Sequence, residues 1–223
     1  MMFPPAVRRA FLLGLLAALV PARGPAAAVP WLPGPPLPGR DTRPSAGKLL
    51  VAARQLADPN FSETVVLLVK HGPRGTMGLV LNRPTRVPLA RVLPKLPPAR
   101  TKARTVFLGG PVARNSLFLL LRVHAPPGGA DPVCPGVALG TRLAVLDAVP
   151  AAPFRIYAGC ASWAPGQLLA EIRRGDWYLL PARAADVFDP APEHLWPRLI
   201  QRATTTWVLS RPAGPRPALL PLP

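Results

Sequence analysis

The sequence predicts an α+β (mixed α/β) fold: a single domain on a mixed β-sheet with peripheral helices. Three observations predict it. Thr64 to Lys70, Leu117 to Val123 and Phe154 to Ala161 are strand-length runs rich in apolar residues. Gly166 to Arg174 places Leu168, Leu169 and Ile172 on one helical stripe, with Gln167, Glu171, Arg173 and Arg174 expected to face out. Strands and helices then follow one another without regular alternation, which suits one mixed sheet. Of the 223 residues, 49% are hydrophobic, enough for the core of one domain.

The first strand is expected from Lys48 to Ala53, followed by a turn-rich connection punctuated by Asp58-Pro59-Asn60. Thr64 to Lys70 reads as a strand buried on both faces. His71 to Gly75 makes a tight loop, and Thr76 to Leu81 returns as the second arm of a hairpin. Asn82-Arg83-Pro84 ends that arm. Val87 to Leu93 has helical spacing with Pro88 in its first turn. Lys95 to Lys102 reads as a basic loop broken by prolines, and Thr105 to Leu108 as a short strand closed by Gly109-Gly110-Pro111. Leu117 to Val123 is a strand, Ala125 to Pro135 a Pro/Gly loop, and Thr141 to Val149 a helical turn. Phe154 to Ala161 is a strand, Gly166 to Arg174 a helix, and Trp177 to Leu180 a strand. Ala182 to Val187 and Glu193 to Arg202 are helical, with Pro197 weakening the second.

The two ends have a different grammar. Arg8 and Arg9 precede an uncharged apolar run of 11 residues from Ala10 to Val20, too short to span a bilayer comfortably. Ala26-Ala27-Ala28 then offers small residues for cleavage, so residues 1–28 read as a signal peptide. Arg8-Arg9-Ala10-Phe11-Leu12 is similar to a twin-arginine signal, although Val7 and Leu13 depart from its usual flanks. Residues 29–46 form a Pro/Gly-rich leader expected to be disordered, residues 47–203 the domain, and residues 204–223 a Pro-rich tail. The expected location is the periplasm. The alternative is a misassigned start codon and a cytoplasmic protein.

The formal charge is +17, and arginine supplies 23 of the 27 basic residues. Such a skew follows from a GC-rich genome or from attraction to polyanions. Arg83, Arg86, Arg91, Lys95, Arg100, Lys102 and Arg104 form one run with no acid between them. The run could neutralise phosphates, yet it holds no aromatic residue on which a base could stack. A solvated basic surface is the alternative.

Candidate ligand-binding residues stand at three strand ends. Asn82 and Arg83 follow one strand, Gly109 and Gly110 follow another, and Trp163 and Gln167 bracket a strand-to-helix turn. Backbone N–H groups at glycines or at a helix start can hold an anion. The alternatives are an Asn capping its turn, a tight glycine turn, and a tryptophan packed in the core. The glycines lack the Lys-Ser/Thr of a phosphate loop and the three-glycine dinucleotide spacing. His71, His124 and His194 form no ligand spacing, so neither a metal nor a cofactor is expected. Ser62, Ser116 and Ser162 lack a nucleophile elbow. Cys134 and Cys160 could pair in an oxidising compartment or remain separate thiols.

Gly47-Lys48-Leu49-Leu50-Val51-Ala52, Leu56 to Phe61, Thr64 to Val69, Gly78 to Pro84, Trp163 to Leu168, Glu171-Ile172 and Trp177 occur in an order that resembles the YqgE/AlgH family from Gly47 to Arg202. The resemblance implies an α+β domain with a mixed sheet and peripheral helices. Members are often labelled transcriptional regulators through a link to alginate control, and the family brings no catalytic residues. Most members begin near their first strand and are cytoplasmic. This chain departs from the pattern at Gly159-Cys160-Ala161-Ser162-Trp163, where Cys160 stands at an aromatic position and Ser162 at a glycine. Leu121 stands where the family often has His.

The expected role is therefore non-catalytic binding or regulation. The partner would be another protein or an anionic ligand met through the basic loops of 83–104. One rival is an enzyme or ligand-binding protein with a pocket at Asn82, Gly109 and Gln167. The other is a nucleic-acid-binding regulator, which requires a cytoplasmic location.

Overall fold

Apolar strands with β-branched residues build the centre of the molecule. In the computed structural model, which describes residues 43–140 and 142–209, β1 (Lys48–Ala52) pairs antiparallel with β2 (Val65–Gly72). The Pro73-Arg74 turn returns the chain as β3 (Gly75–Val80). The expected signal peptide, the leader up to residue 42 and the tail beyond residue 209 lie outside the described residues.

Between β3 and the next buried strand the chain makes an excursion. It consists of β4 (Pro84–Pro88), the single turns α1 (Leu89–Val92) and α2 (Pro98–Thr101), and β5 (Thr105–Leu108). β6 (Val112–Arg122), β7 (Ala130–Cys134) and β8 (Val137–Gly140) follow, then the turn α3 (Val145–Ala148). β9 (Phe154–Trp163) leads into α4 (Gln167–Arg174) and β10 (Trp177–Pro181). The turn α5 (Ala184–Val187), a 3₁₀ turn (Pro192–His194) and α6 (Leu195–Leu209) complete the described chain.

Three strands, β4, β7 and β8, were not expected. β4 is proline-bracketed and largely exposed, and it pairs with β5 only at Pro84 and Pro88. β7 falls in the stretch expected to be a Pro/Gly loop. It forms at a sheet edge, where Pro132 is tolerated, and β8 pairs it to β6. The final helix also continues to Leu209, six residues past Ala203, the expected domain end. Pro197 sits in its first turn, where no helical N–H is lost.

The sheet order is β10-β1-β2-β3-β9-β6-β8-β7, with β4 and β5 attached beside β9. All pairings are antiparallel except β5 with β9, which makes the sheet mixed. It curls, so that β7 at the far end returns towards β1 and β2. Lys70 reaches Asp131 at 3.4 Å, and a Cβ on Gly47 would lie 2.6 Å from the Val133 carbonyl oxygen.

Alternation across β6 and β9 divides the apolar residues into two clusters. Phe118, Leu120 and Tyr157 face the larger one, which α4 and α6 close with Leu168, Ile172, Leu199 and Ile200. Leu119, Leu121, Phe154 and Ile156 face the smaller one, with Leu89 and Leu146 of the short helices. The fold is thus one α+β domain with helices at the periphery of a curled sheet.

Candidate functional site

Asn82 lies just past β3, and its side chain spans two strands. Its Oδ1 accepts from the Val65 N–H at 2.9 Å, and its Nδ2 donates to the Glu63 carbonyl at 2.9 Å. Arg83 donates Nη2 to the Pro59 and Ser62 carbonyls at 3.5 and 3.4 Å. Both side chains therefore tie the end of β3 to the loop before β2. They also line an open cleft of about 590 Å³ with Glu63, Glu193 and Trp196.

Gly109 and Gly110 hold β5 against β9 by backbone contact. The Gly109 N–H donates to the Ala158 carbonyl at 2.8 Å, and the Val80 N–H donates to the Gly109 carbonyl at 2.9 Å. A Cβ on Gly109 would lie 2.2 Å from the Gly159 carbonyl oxygen. One on Gly110 would lie 2.3 Å from the Cys160 carbonyl carbon. Gly110 and Arg83 share a second cavity of about 50 Å³ with Asn60 and Arg114, room for a water or two rather than an organic ligand.

Trp163 and Gln167 belong to a different cluster, centred on Glu171. The Glu171 Oε2 accepts from the indole N–H groups of Trp163 and Trp177, both at 2.9 Å. Its Oε1 accepts from Gln167 Nε2 at 3.0 Å, and Gln167 Oε1 caps the Ala164 N–H at 3.0 Å. Phe61 stacks on Trp163 at 5.8 Å and meets the Trp177 edge at 5.7 Å. Glu171 was expected to face solvent from the polar side of the helix. It is half-buried instead, because two buried tryptophans need an acceptor there.

The basic run divides by role. Arg100 donates to the Leu146 and Val149 carbonyls, and Arg104 donates to the Phe154 carbonyl at 3.0 Å. Both guanidinium groups sit over the Phe154 ring, at 5.1 and 4.5 Å. Burial, and then the charge of Arg100, holds the Arg104 pKa below its usual value. Arg86, Arg91, Lys95 and Lys102 are exposed and form no ion pair among the described residues.

A residue that no local motif marks completes the region. Arg155 of β9 donates to the carbonyls of Val187 (2.9 Å) and Asp189, and its guanidinium lies over Phe107 at 4.8 Å. Its signal in the sequence is a charge inside an apolar strand, between Phe154 and Ile156. Arg104 and Arg155 line a cavity of about 310 Å³, with Leu89, Phe107, Phe154 and Glu193 among its walls.

The cysteines sit apart in role. Cys134 is half-buried on β7 and Cys160 is sealed within β9, and both are free thiols. Burial raises both thiol pKa values, to about 11 for Cys160. Among the described residues, no group of three His, Cys, Asp or Glu side chains could hold a metal ion. No described helix is long and apolar enough to cross a membrane.

A family model described as DUF179, AlgH-like, matches residues 49–207. A UPF0301 protein of Mycobacterium ulcerans is 41% identical over 176 residues, covering 75% of this chain and 86% of the relative. A UPF0301 protein of Streptomyces avermitilis is 41% identical over 169 residues, covering 70% of this chain and 85% of the relative. Among solved structures, a crystal structure of a Corynebacterium diphtheriae protein superposes with a TM-score of 0.68 at 27% identity, covering 78% of this chain and 94% of that one. The solution structure of the AlgH protein from Pseudomonas aeruginosa gives 0.59 at 34% identity, covering 78% and 98%.

Proposed function

The chain belongs to the AlgH-like family, and from that premise we propose that it is a non-catalytic binding protein whose excursion between β3 and β5 holds an acidic protein partner. One observation carries the reading: the division of labour within the basic run. Arg83, Arg100 and Arg104 are half-buried and bind carbonyls, which anchors the segment. Arg86, Arg91, Lys95 and Lys102 stay exposed on that anchored segment, and no acid interrupts them. Val87, 41% exposed beside Arg86, adds an apolar contact.

An ordered cationic surface speeds encounter with an acidic partner and makes affinity fall with salt. A protein partner suits this segment better than nucleic acid, because 83–104 contains no aromatic side chain for base stacking. The proposal includes export, on the order of charge, apolar run and small residues in 1–28. Sequencing the mature N-terminus from fractionated cells tests that part. A start near Val29 in the periplasmic fraction supports it, and a start near Ala46 in the cytoplasm overturns it.

Binding to polyglutamate across a salt series tests the surface. Reversing Arg86, Arg91, Lys95 and Lys102 to Glu is expected to weaken binding roughly tenfold or more, about 1.4 kcal/mol. Reversing the exposed Arg114, Arg122, Arg142 and Arg173 is the charge-matched control. Equal losses in the two variants would overturn the assignment. Tighter binding of duplex DNA than of polyglutamate would replace it with the nucleic-acid reading.

A further inference from the structure

We propose that the cavity between β5 and β9 binds a small carboxylate with an apolar body, gripped by the Arg104 guanidinium and attracted by the charge of Arg155. The cavity exists because two parallel strands part. β5 pairs with β9 at Phe107↔Tyr157 and Leu108↔Ala158. Towards its start, β5 separates from β9, and a space of about 310 Å³ opens beside Thr105 and Phe154 to Ile156. That volume is at the small end of ligand cavities, which run from roughly 300 to 1,000 Å³. In the gap, the Phe154 carbonyl takes its hydrogen bond from the Arg104 side chain instead of a strand N–H.

Two cations line this cavity, Arg104 and Arg155, and Arg100 shares the Phe154 ring with Arg104; none of the three has an ion-pairing carboxylate among the described residues. Their hydrogen bonds go to backbone carbonyls, which leave the positive charge uncompensated. Arg104 uses only Nη1, so its Nε and Nη2 protons remain for a ligand. Arg155 commits Nη1 and Nη2 to carbonyls and also lies beside the Tyr157 hydroxyl, so it contributes its charge to the cavity. Stacking over Phe154 and Phe107 fixes both planar groups before a ligand arrives.

The walls decide the ligand's body. Leu89, Phe107, Phe154, Ile156, Pro190 and Pro192 present apolar surface. Glu193 also lines the cavity, exposed and unpaired with either arginine. A second negative charge on the ligand would meet that carboxylate, so a monoanion with an apolar body suits the space better than a phosphate. The proposal is independent of the acidic-protein reading, because it uses none of the exposed cations of the excursion.

Benzoate is the probe, titrated into the full chain at constant ionic strength and followed by amide NMR shifts. The expected result is a saturable, millimolar response centred on Arg104, Phe107 and Phe154. Neutral benzamide and inorganic phosphate are expected to bind roughly tenfold or more weakly. Arg104→Met keeps the stem and loses the charge, and benzoate affinity should fall at least about tenfold. Arg104→Lys keeps the charge without the fork and should fall between the two. The comparison of three probes on the unaltered protein stands even if a variant fails to fold. No saturable benzoate response, an equal response to benzamide or to phosphate, or undiminished affinity in folded Arg104→Met would each overturn the proposal.

Discussion

The Trp163 indole N–H donates to the Glu171 carboxylate at 2.9 Å, joining the last residue of β9 to the middle of α4. The same oxygen takes the Trp177 indole at 2.9 Å, so one acid at the helix–sheet joint satisfies two buried donors. Glu171→Leu would leave both indoles without an acceptor. Each such loss costs roughly 1–3 kcal/mol, so a total near 3 kcal/mol is expected. In urea, the midpoint should drop by about 1 M or more with the slope unchanged. Glu171→Gln keeps an acceptor oxygen and should lose about half as much. A Leu variant as stable as the parent would show that the two indoles find other partners.

Gly109 and Gly110 are required by close approach rather than by a ligand. A Cβ at either position would overlap the β9 backbone, at 2.2 and 2.3 Å, and backbone cannot step aside as a side chain can. Gly110 also has φ +152°, at the margin of what side chains adopt. Gly109→Ala is expected to destabilise by about 3 kcal/mol or more, near the top of the overpacking range. Gly128→Ala, with nothing within 4 Å of its added Cβ, should stay within roughly 0.5 kcal/mol. Thermal denaturation of the pair checks this, and similar melting points would refute the close-approach account.

Asn82 makes a prediction that separates a strut from a ligand contact. Its two amide hydrogen bonds connect the Val65 N–H and the Glu63 carbonyl, and Glu63 is held at φ +55°. Asn82→Ala should cost roughly 1–3 kcal/mol, mostly by stranding the N–H of the first β2 residue. Asn82→Asp keeps the acceptor for Val65 and should recover part of that loss. Urea titration of the three proteins gives the order parent, Asp, Ala if Asn82 is a strut. An Ala variant of parental stability would return Asn82 to the list of free ligand groups.

Much of the fold was readable because apolar runs and helical spacing act locally. β1, β2, β3, β5 and α4 fall where Leu49 to Val51, Val65 to Val69 and the Leu168/Ile172 stripe place them. β4 and β7 were hidden because their partners, not their residues, make them strands. Pro84, Pro88 and Pro132 argue against a strand until β5 and β8 lie alongside. The candidate loops divided for the same reason. Arg83 and Gly110 meet because β3 and β5 end together, whereas Gln167 is drawn into the separate cluster around Glu171. The contribution of Arg155 depends on the parting of β5 from β9, a feature of pairing that a single strand's sequence does not encode.

Tyr157 supplies a pH test of the core. Its hydroxyl is buried with no hydrogen-bond partner of good geometry among the described residues. Burial raises its pKa to about 12, while the nearby Arg155 charge pulls the other way. A proton held more tightly when folded stabilises the fold below the ordinary tyrosine value near 10, and that contribution fades as pH climbs towards 12. Cys160 acts in the same direction, its thiol raised to about 11, so stability should fall from about pH 9 upwards. Tyr157→Phe removes an unsatisfied polar atom and should leave stability at pH 8 unchanged or up to about 1 kcal/mol higher. It should also flatten the decline between pH 10 and 12, leaving the earlier part that belongs to the two thiols, Cys160 and Cys134. Urea unfolding at pH 8, 10 and 11 separates the two. If the Phe variant declines as steeply as the parent above pH 10, the alkaline loss originates elsewhere than in the sealed phenol.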